Sequence, residues 1–240
     1  MRSQNAMGHL LGHVRDLGVK ADRDPTKRAY QSTERQLFHT DGSDIVGLLC
    51  LQKSKSGGLS SLVSSVSIYN AMATRRPDLA RRLFAPLAFD RRGEVPAGQG
   101  PFFLMPVFAL HEGLLSIGYT RRNINSAQRH SDAPRLTPED VEALDLFDAL
   151  ANDAALRLDM AFEPGDMQFL HNHTILHDRT AYEDWPEPAR KRHLLRLWLS
   201  PSDARPLPPA FLPRYGSAVA GDRGGILCPG VCLHAPLEPV

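Results

Sequence analysis

The chain has 240 residues, of which 42% are hydrophobic and 23% charged, as in an ordinary globular domain. Its formal net charge of +1 gives no global field that would favour nucleic acid or an anionic membrane surface. It contains no apolar run long enough to span a bilayer, and its three cysteines are too few for a disulfide framework. We therefore expect a single domain in the cytoplasm, without a nucleic-acid or membrane partner.

The first half of the chain predicts one buried strand and two helices, after a polar and weakly periodic start that extends to about Ser32. The apolar run at 44–51 is typical of a buried strand, and the run at 53–58 is typical of a turn. Apolar residues keep helical spacing over 64–75, and Pro77 then begins a second helix.

The second half predicts a hairpin, a long helix and two further strands. A loop at 91–100 leads into apolar runs at 102–110 and 114–119, which flank a short glycine-containing turn. Thr137 caps a helix with Pro138 at its first position, and strands follow at 167–170 and 192–199. The Pro- and Gly-rich tail from 201 to 240 predicts a loop docked on the surface. These elements favour a mainly β, α+β architecture with a jelly-roll core and helices outside.

His39 and Asp41 lie two residues apart, so they project to the same side of an extended segment. His177, on a distant strand, would complete a set of two histidines and one carboxylate, which leaves one face of a six-coordinate Fe(II) open. Arg192 follows His177 and could bind a carboxylate on a co-substrate. The order of these residues predicts an iron-dependent enzyme.

Two alternatives compete with iron chemistry. His171 and His173 share the strand parity of His177, and the three could bind zinc together with Cys228 and Cys232. The cysteine spacing is loose and lies in a Pro-rich tail, which disfavours zinc. A catalytically silent domain that only binds a partner or a small acid is the second alternative.

The chain resembles the taurine-dioxygenase-like (TauD/TfdA) family of Fe(II)/2-oxoglutarate dioxygenases. The resemblance rests on five segments that follow the family's order and cover roughly 30–200: residues 38–41 (FHTD), 56–61 (SGGLSS), 164–167 (PGDM), 172–180 (NHTILHDRT) and 192–198 (RHLLRLW). It implies a double-stranded β-helix, which is a cupin-like jelly roll, with a core at about 30–200.

The resemblance also implies roles for individual residues. His39, Asp41 and His177 match the iron ligands, and Arg192 matches the arginine that binds the distal carboxylate of 2-oxoglutarate. Ser61 matches a hydroxyl residue on that carboxylate, with Ser60 as the alternative register. Two further matches are weaker: Asn172 as a residue near the co-substrate, and Arg196 as one that meets an anionic substrate in some members.

The implied reaction consumes O2 and 2-oxoglutarate, oxidises a small organic substrate, most simply by hydroxylation, and releases succinate and CO2. The substrate and the oligomeric state are left open, a homo-oligomer included. Only 38 residues precede His39, whereas family members usually carry a longer segment there. We therefore expect an N-terminally truncated form of the fold, a mis-assigned start or a minimal variant.

Overall fold

The structure is a computed structural model that describes residues 1–19, 28–96, 98–226 and 230–238. The strands of the described chain are β1 Leu11–Val14, β2 Gln36–His39, β3 Ile45–Gln52, β4 Ser56–Gly57, β5 Ser60–Ser64, β6 Pro86–Asp90, β7 Phe102–Pro106, β8 Phe108–His111, β9 Leu114–Ile117, β10 Arg157–Met160, β11 Met167–His171, β12 Ile175–Arg179, β13 Tyr182–Glu183 and β14 His193–Leu199. Its helices are α1 Ser65–Arg75, α2 Pro77–Arg82, α3 Arg121–Ala127, α4 Pro138–Ala151 and α5 Leu212–Tyr215.

Two four-stranded antiparallel sheets form the centre of the fold. The first has the strand order β1-β14-β3-β11, and the second has the order β10-β5-β12-β2. Apolar side chains join the sheets: Val46 and Trp198 of the first pack with Leu62 and Ile175 of the second. Because burying two apolar sheet faces against each other is the main stabilising term of such a fold, these contacts hold the two sheets together.

Helices α1, α2 and α4 pack outside the sheets around a large apolar cluster that includes Ile68, Leu79 and Phe147. Helix α4 begins with a capping box, in which the Thr137 hydroxyl accepts from the Asp140 N–H and the Asp140 carboxylate accepts from the Thr137 N–H. This start and the starts of α1 and α2 confirm the helices predicted from the sequence. The overall arrangement confirms the mainly β, α+β class.

One predicted hairpin is only half right. Strands β8 and β9 form a hairpin around Glu112 and Gly113, as expected. The apolar run before them is divided, however, because β7 pairs with β6 and not with β9. Periodicity identifies apolar strands but does not choose between two apolar partners.

Both ends of the chain are more ordered than the sequence predicts. The polar start contains β1, which pairs with β14, outside the predicted core of 30–200. In the tail, Phe211 and Tyr215 are buried in the main apolar cluster, so this part of the tail belongs to the core. The described chain has no helix that is both long and apolar enough to cross a bilayer.

A buried ionic cluster ties the tail to the loop that follows Asp41. The Asp44 carboxylate accepts from Arg223 at 2.9 Å, from Ser200 at 2.8 Å, and lies 2.8 Å from His173 Nε2. Arg223 is 1% exposed and Asp44 is fully buried. A buried arginine needs such a partner, since an uncompensated charge in the interior is strongly destabilising.

We expect Asp44→Asn to lower the free energy of unfolding by about 3–5 kcal/mol, because it leaves the Arg223 charge without its counterion. Urea unfolding followed by circular dichroism measures the change. Asp203→Asn, at an exposed position, is the matched control and should leave the midpoint in place. Equal midpoints for the two variants would contradict a structural role for this cluster.

Candidate functional site

The structure brings His39, Asp41 and His177 together. His39 ends β2 and lies directly opposite His177 on β12, and Asp41 follows two residues after the strand. Their potential ligand atoms all lie within 4.8 Å of one another. His39 Nε2 is 3.8 Å from Asp41 Oδ1, and His177 Nε2 is 4.0 Å from Asp41 Oδ2. In the part of the chain that the structure describes, no other group of three or more such side chains is this compact.

Burial sets the protonation states of these three side chains. Desolvation lowers the pKa of His39. Desolvation, together with electrostatic repulsion from the neighbouring His39, lowers the pKa of His177 to about 3. Burial alone would raise the pKa of Asp41, but Arg196, the two histidines and the Trp198 indole hold it far below its usual range. At neutral pH the site therefore offers two neutral imidazoles and a carboxylate, the states that a divalent metal requires.

The His39 ring is oriented for a metal in the centre of the site. Its Nδ1 lies 2.9 Å from the Leu37 carbonyl, which fixes the proton there and leaves Nε2 as an acceptor. The Gln36 amide donates to this Nε2 at 2.9 Å. A metal ion would replace that contact, so the donor set fits a resident cation of the iron type.

Two hydrogen bonds hold Asp41 in place. Trp198 Nε1–H donates to Asp41 Oδ2 at 2.9 Å, and the Asp41 N–H donates to Asn172 Oδ1 at 3.1 Å. The Asn172 amide nitrogen donates to the Ser43 carbonyl at 2.9 Å. The loop that carries Asp41 therefore engages the fully buried Asn172 amide, and the predicted contact of Asn172 with the co-substrate stays a prediction.

A small cavity of about 30 Å³ lies on the His177 side of the site, and its lining includes Ser60, Arg179 and Arg192. Both arginines are nearly fully buried, and their guanidinium carbons lie 4.7 and 5.3 Å from the centre of the Tyr182 ring. In each, Nη1 is buried without a hydrogen-bond partner among the described residues. Desolvation and the Arg192 charge lower the pKa of Arg179 to about 10. The cavity is strongly cationic and has donors to offer an anion.

Ser60, the alternative register, faces this small cavity, and Ser61 does not. Ser60 pairs with Arg179 across β5 and β12, so the two side chains share the face that lines this cavity. Ser61 pairs with Asp178 and Asp159 and faces the other way. A hydrogen bond from Ser61 is the main cause that lowers the pKa of Asp159.

Arg179 is a residue that the sequence argument missed. It lies two positions after His177 on the same strand, so period-2 spacing places it on the face of the metal ligands. A charged residue two positions after a metal ligand on the same predicted strand is the signal that could have identified it.

A larger cavity of about 670 Å³ opens on the other side of the metal site, and its lining includes His39, Asp41 and Trp198. Arg196 borders both cavities. Its Nη1 lies 3.6 Å from Asp41 Oδ2, and its Nε donates to Gln4 Oε1 at 2.7 Å. Arg196 thus contributes first to the charge balance of Asp41, and its predicted contact with a substrate stays a prediction.

His171 and His173 lie outside the metal group. His173 contacts Asp44 in the buried ionic cluster, and His171 Nδ1 lies 3.1 Å from the Thr174 hydroxyl. Cys232 is exposed, and Cys228 falls outside the described residues. The described chain therefore gives zinc no compact set of these ligands.

The fold and the site define a jelly-roll protein with a metal site of two histidines and one carboxylate between two cavities. The family described as "Taurine catabolism dioxygenase TauD, TfdA family" matches residues 2–198. The chain belongs to this family, as its motifs predict.

Named relatives agree with this placement. FR-33289 synthase of Streptomyces rubellomurinus is 35% identical over 212 residues, which cover 86% of this chain and 61% of that protein. An asparagine oxygenase solved with Fe(II), 2S,3S-3-hydroxyasparagine and succinate has a TM-score of 0.61 at 17% identity, with 82% of this chain and 59% of that chain covered. The non-heme iron oxygenase OrfP, solved with Fe and alpha-ketoglutaric acid, gives 0.58 at 14% identity, with the same coverage. These structures confirm the predicted fold, and this chain spans about three fifths of their length.

We expect Trp198→Phe to weaken metal binding roughly 10–100-fold, because the ring is kept while the hydrogen bond that orients Asp41 is lost. Anaerobic Fe(II) titration measures the affinity. Trp185→Phe is the matched control. The Arg190 guanidinium carbon lies 3.5 Å from the centre of the Trp185 ring, and Trp185 makes no described contact with the three ligands. Equal Fe(II) affinities for the two variants would show that Asp41 does not depend on the indole.

Proposed function

We propose that this chain is a non-haem Fe(II)- and 2-oxoglutarate-dependent oxygenase that oxidises, most simply by hydroxylation, a small organic substrate. One observation carries the proposal: a neutral, buried pair of histidines and an ionised aspartate separate a small cationic cavity from a large one. A carboxylate-bearing co-substrate suits the first cavity, and an organic substrate suits the second.

The iron would be held by His39, Asp41 and His177. Bound iron and 2-oxoglutarate would supply the activation of O2 and the oxidation of the substrate, with succinate and CO2 as the other products. The protein contributes the geometry. Trp198 and Asn172 keep the Asp41 carboxylate in place, and the Leu37 carbonyl keeps the His39 ring in the required tautomer.

The distal carboxylate of 2-oxoglutarate would be bound by Arg192, Arg179 and Ser60. The support is the pair of buried Nη1 atoms that have no hydrogen-bond partner among the described residues, together with the hydroxyl on the same face. Charge-assisted hydrogen bonds of this kind are strong in a site from which water is excluded.

We expect His177→Ala to abolish both Fe(II) binding and succinate release, because two ligands cannot hold iron on one face. Anaerobic Fe(II) titration and a succinate assay with a substrate library measure the two properties. His111→Ala, in the β8–β9 hairpin, is the control and should keep the behaviour of the parent chain. Undiminished iron stoichiometry in His177→Ala would contradict the proposed metal site. Iron binding by the parent chain without any succinate release would favour the catalytically silent binding domain.

We expect Ser60→Ala to weaken 2-oxoglutarate binding about tenfold, because a neutral hydrogen bond is lost. Arg192→Gln should weaken it roughly 10–100-fold, because a charge-assisted contact is lost. Ser61→Ala is the control, since it is matched in size and chemistry to Ser60→Ala but changes a side chain that faces away from the cavity. Its affinity for 2-oxoglutarate should stay at the parent value. Anaerobic calorimetry with Fe(II)-loaded protein makes the measurement. A larger loss in Ser61→Ala would instead assign the carboxylate contact to Ser61.

A further inference from the structure

Strand β2 has an irregular register next to the metal site. His39 pairs with His177 and Gln36 pairs with Arg179, so three steps along β2 match two steps along β12. In a regular strand, residues three apart project to opposite faces of the sheet. A bulge adds one residue to a strand, and bulges beside active sites re-aim a side chain. Here the extra residue brings Gln36 to the face that carries His39.

The Gln36 side chain contacts the atom of His39 that a metal would take. Its amide nitrogen donates to His39 Nε2 at 2.9 Å, while His39 Nδ1 lies against the Leu37 carbonyl. The described residues give the Gln36 side chain no other hydrogen bond. A metal bound at His39 would therefore displace the amide, and a half-buried donor would need a new acceptor.

The position of Gln36 restricts what that acceptor can be. Gln36 lines both the small cavity and the large one, and the metal group lies between them. Its cross-strand neighbour Arg179 lines the small cavity, where the proposed co-substrate binds. Because paired residues on neighbouring strands share a face, the Gln36 amide lies on the side from which the co-substrate would reach the metal.

A 2-oxo acid has unused acceptors at the end that binds a metal. Its carboxylate and keto oxygens together have more lone pairs than one metal ion can use, and a buried polar atom without a partner is costly. The distal carboxylate is assigned to Arg192, Arg179 and Ser60, which leaves the other end without a donor from this group. The Gln36 amide is a donor beside the metal site that carries no charge.

We propose that Gln36 is a co-substrate-binding residue, whose amide leaves His39 when the metal binds and donates to the keto-acid end of 2-oxoglutarate. This inference rests on the proposed oxygenase function and adds a contact at the end opposite Arg192. The same amide competes with the metal for His39 and then strengthens co-substrate binding. Its removal should consequently change the two affinities in opposite directions, which the loss of a merely structural contact would not do.

Gln36→Met tests the proposal, because it keeps the length of the side chain and removes the donor. The Fe(II) affinity should not fall and should rise by up to about tenfold, since the competing hydrogen bond to His39 is lost. The affinity of the Fe(II)-loaded protein for 2-oxoglutarate should fall about tenfold. Anaerobic Fe(II) titration and anaerobic calorimetry with 2-oxoglutarate make the two measurements on the full chain.

Gln52→Met is the matched control, since Gln52 ends β3 and lies outside the described lining of both cavities. It should leave both affinities at the parent values. A lower Fe(II) affinity in Gln36→Met would show that Gln36 serves to orient His39, and it would overturn the proposal. Parent-like affinity of Gln36→Met for 2-oxoglutarate would overturn it as well.

A double variant locates the contact on the co-substrate. Ser60→Ala removes a contact with the distal carboxylate, so its loss should multiply with that of Gln36→Met, to about 100-fold, if the two residues bind opposite ends. A combined loss of no more than about tenfold would place Gln36 at the distal carboxylate and overturn the assignment to the keto-acid end.

The parent chain separates this inference from the oxygenase proposal. If the parent binds Fe(II) and 2-oxoglutarate and Gln36→Met has the same two affinities, the role of Gln36 alone is overturned. If the parent binds neither, the oxygenase function itself is contradicted, and the role of Gln36 is overturned with it.

Discussion

The pairing of β2 with β12 is the constraint on which the site depends. It places His39 opposite His177, with ring centres 4.2 Å apart. The register shifts between His177 and Arg179, so that Gln36 and His39, three residues apart, both have partners on one face of β12. A slip of one residue would turn His177 to the other face and present Asp178 in its place. The metal site would then be lost without any change in composition.

Strand β14 connects this pairing to the rest of the molecule. Arg196 and Trp198 lie two positions apart on β14, so both side chains reach Asp41 from one face. The Gln4 side chain donates to the Arg196 carbonyl and accepts from Arg196 Nε. Strand β1 extends the same sheet. Arg196, whose charge lowers the pKa of Asp41, is therefore held in place by Gln4, a residue outside the recognisable motifs.

The sequence predicts what depends on residue type and order, and fails where one strand must choose a partner. His39, Asp41 and His177 are recognisable because few side chains bind iron, and the start of α4 because its cap is local. Ser60 and Ser61 are chemically identical, so only the pairing with β12 decides which one faces the cavity. Asn172 is polar and near the ligands, but its role depends on the loop around Ser43. The burial of Phe211 in a Pro- and Gly-rich tail likewise has no local signal.

Net charge was the least informative property of the sequence. A total of +1 excludes a global field, yet eight of the described arginines line the large cavity. Salt screens exposed charges over about 8–10 Å but screens buried groups much less, so the charge of a buried arginine still acts on its neighbours at physiological ionic strength. Acidic partners balance several of these arginines, since Arg35 pairs with Asp178, and Arg121 pairs with Asp145 and Asp148. Bound Fe(II) would add positive charge between the two cavities, and the carboxylates of a bound 2-oxoglutarate would offset it.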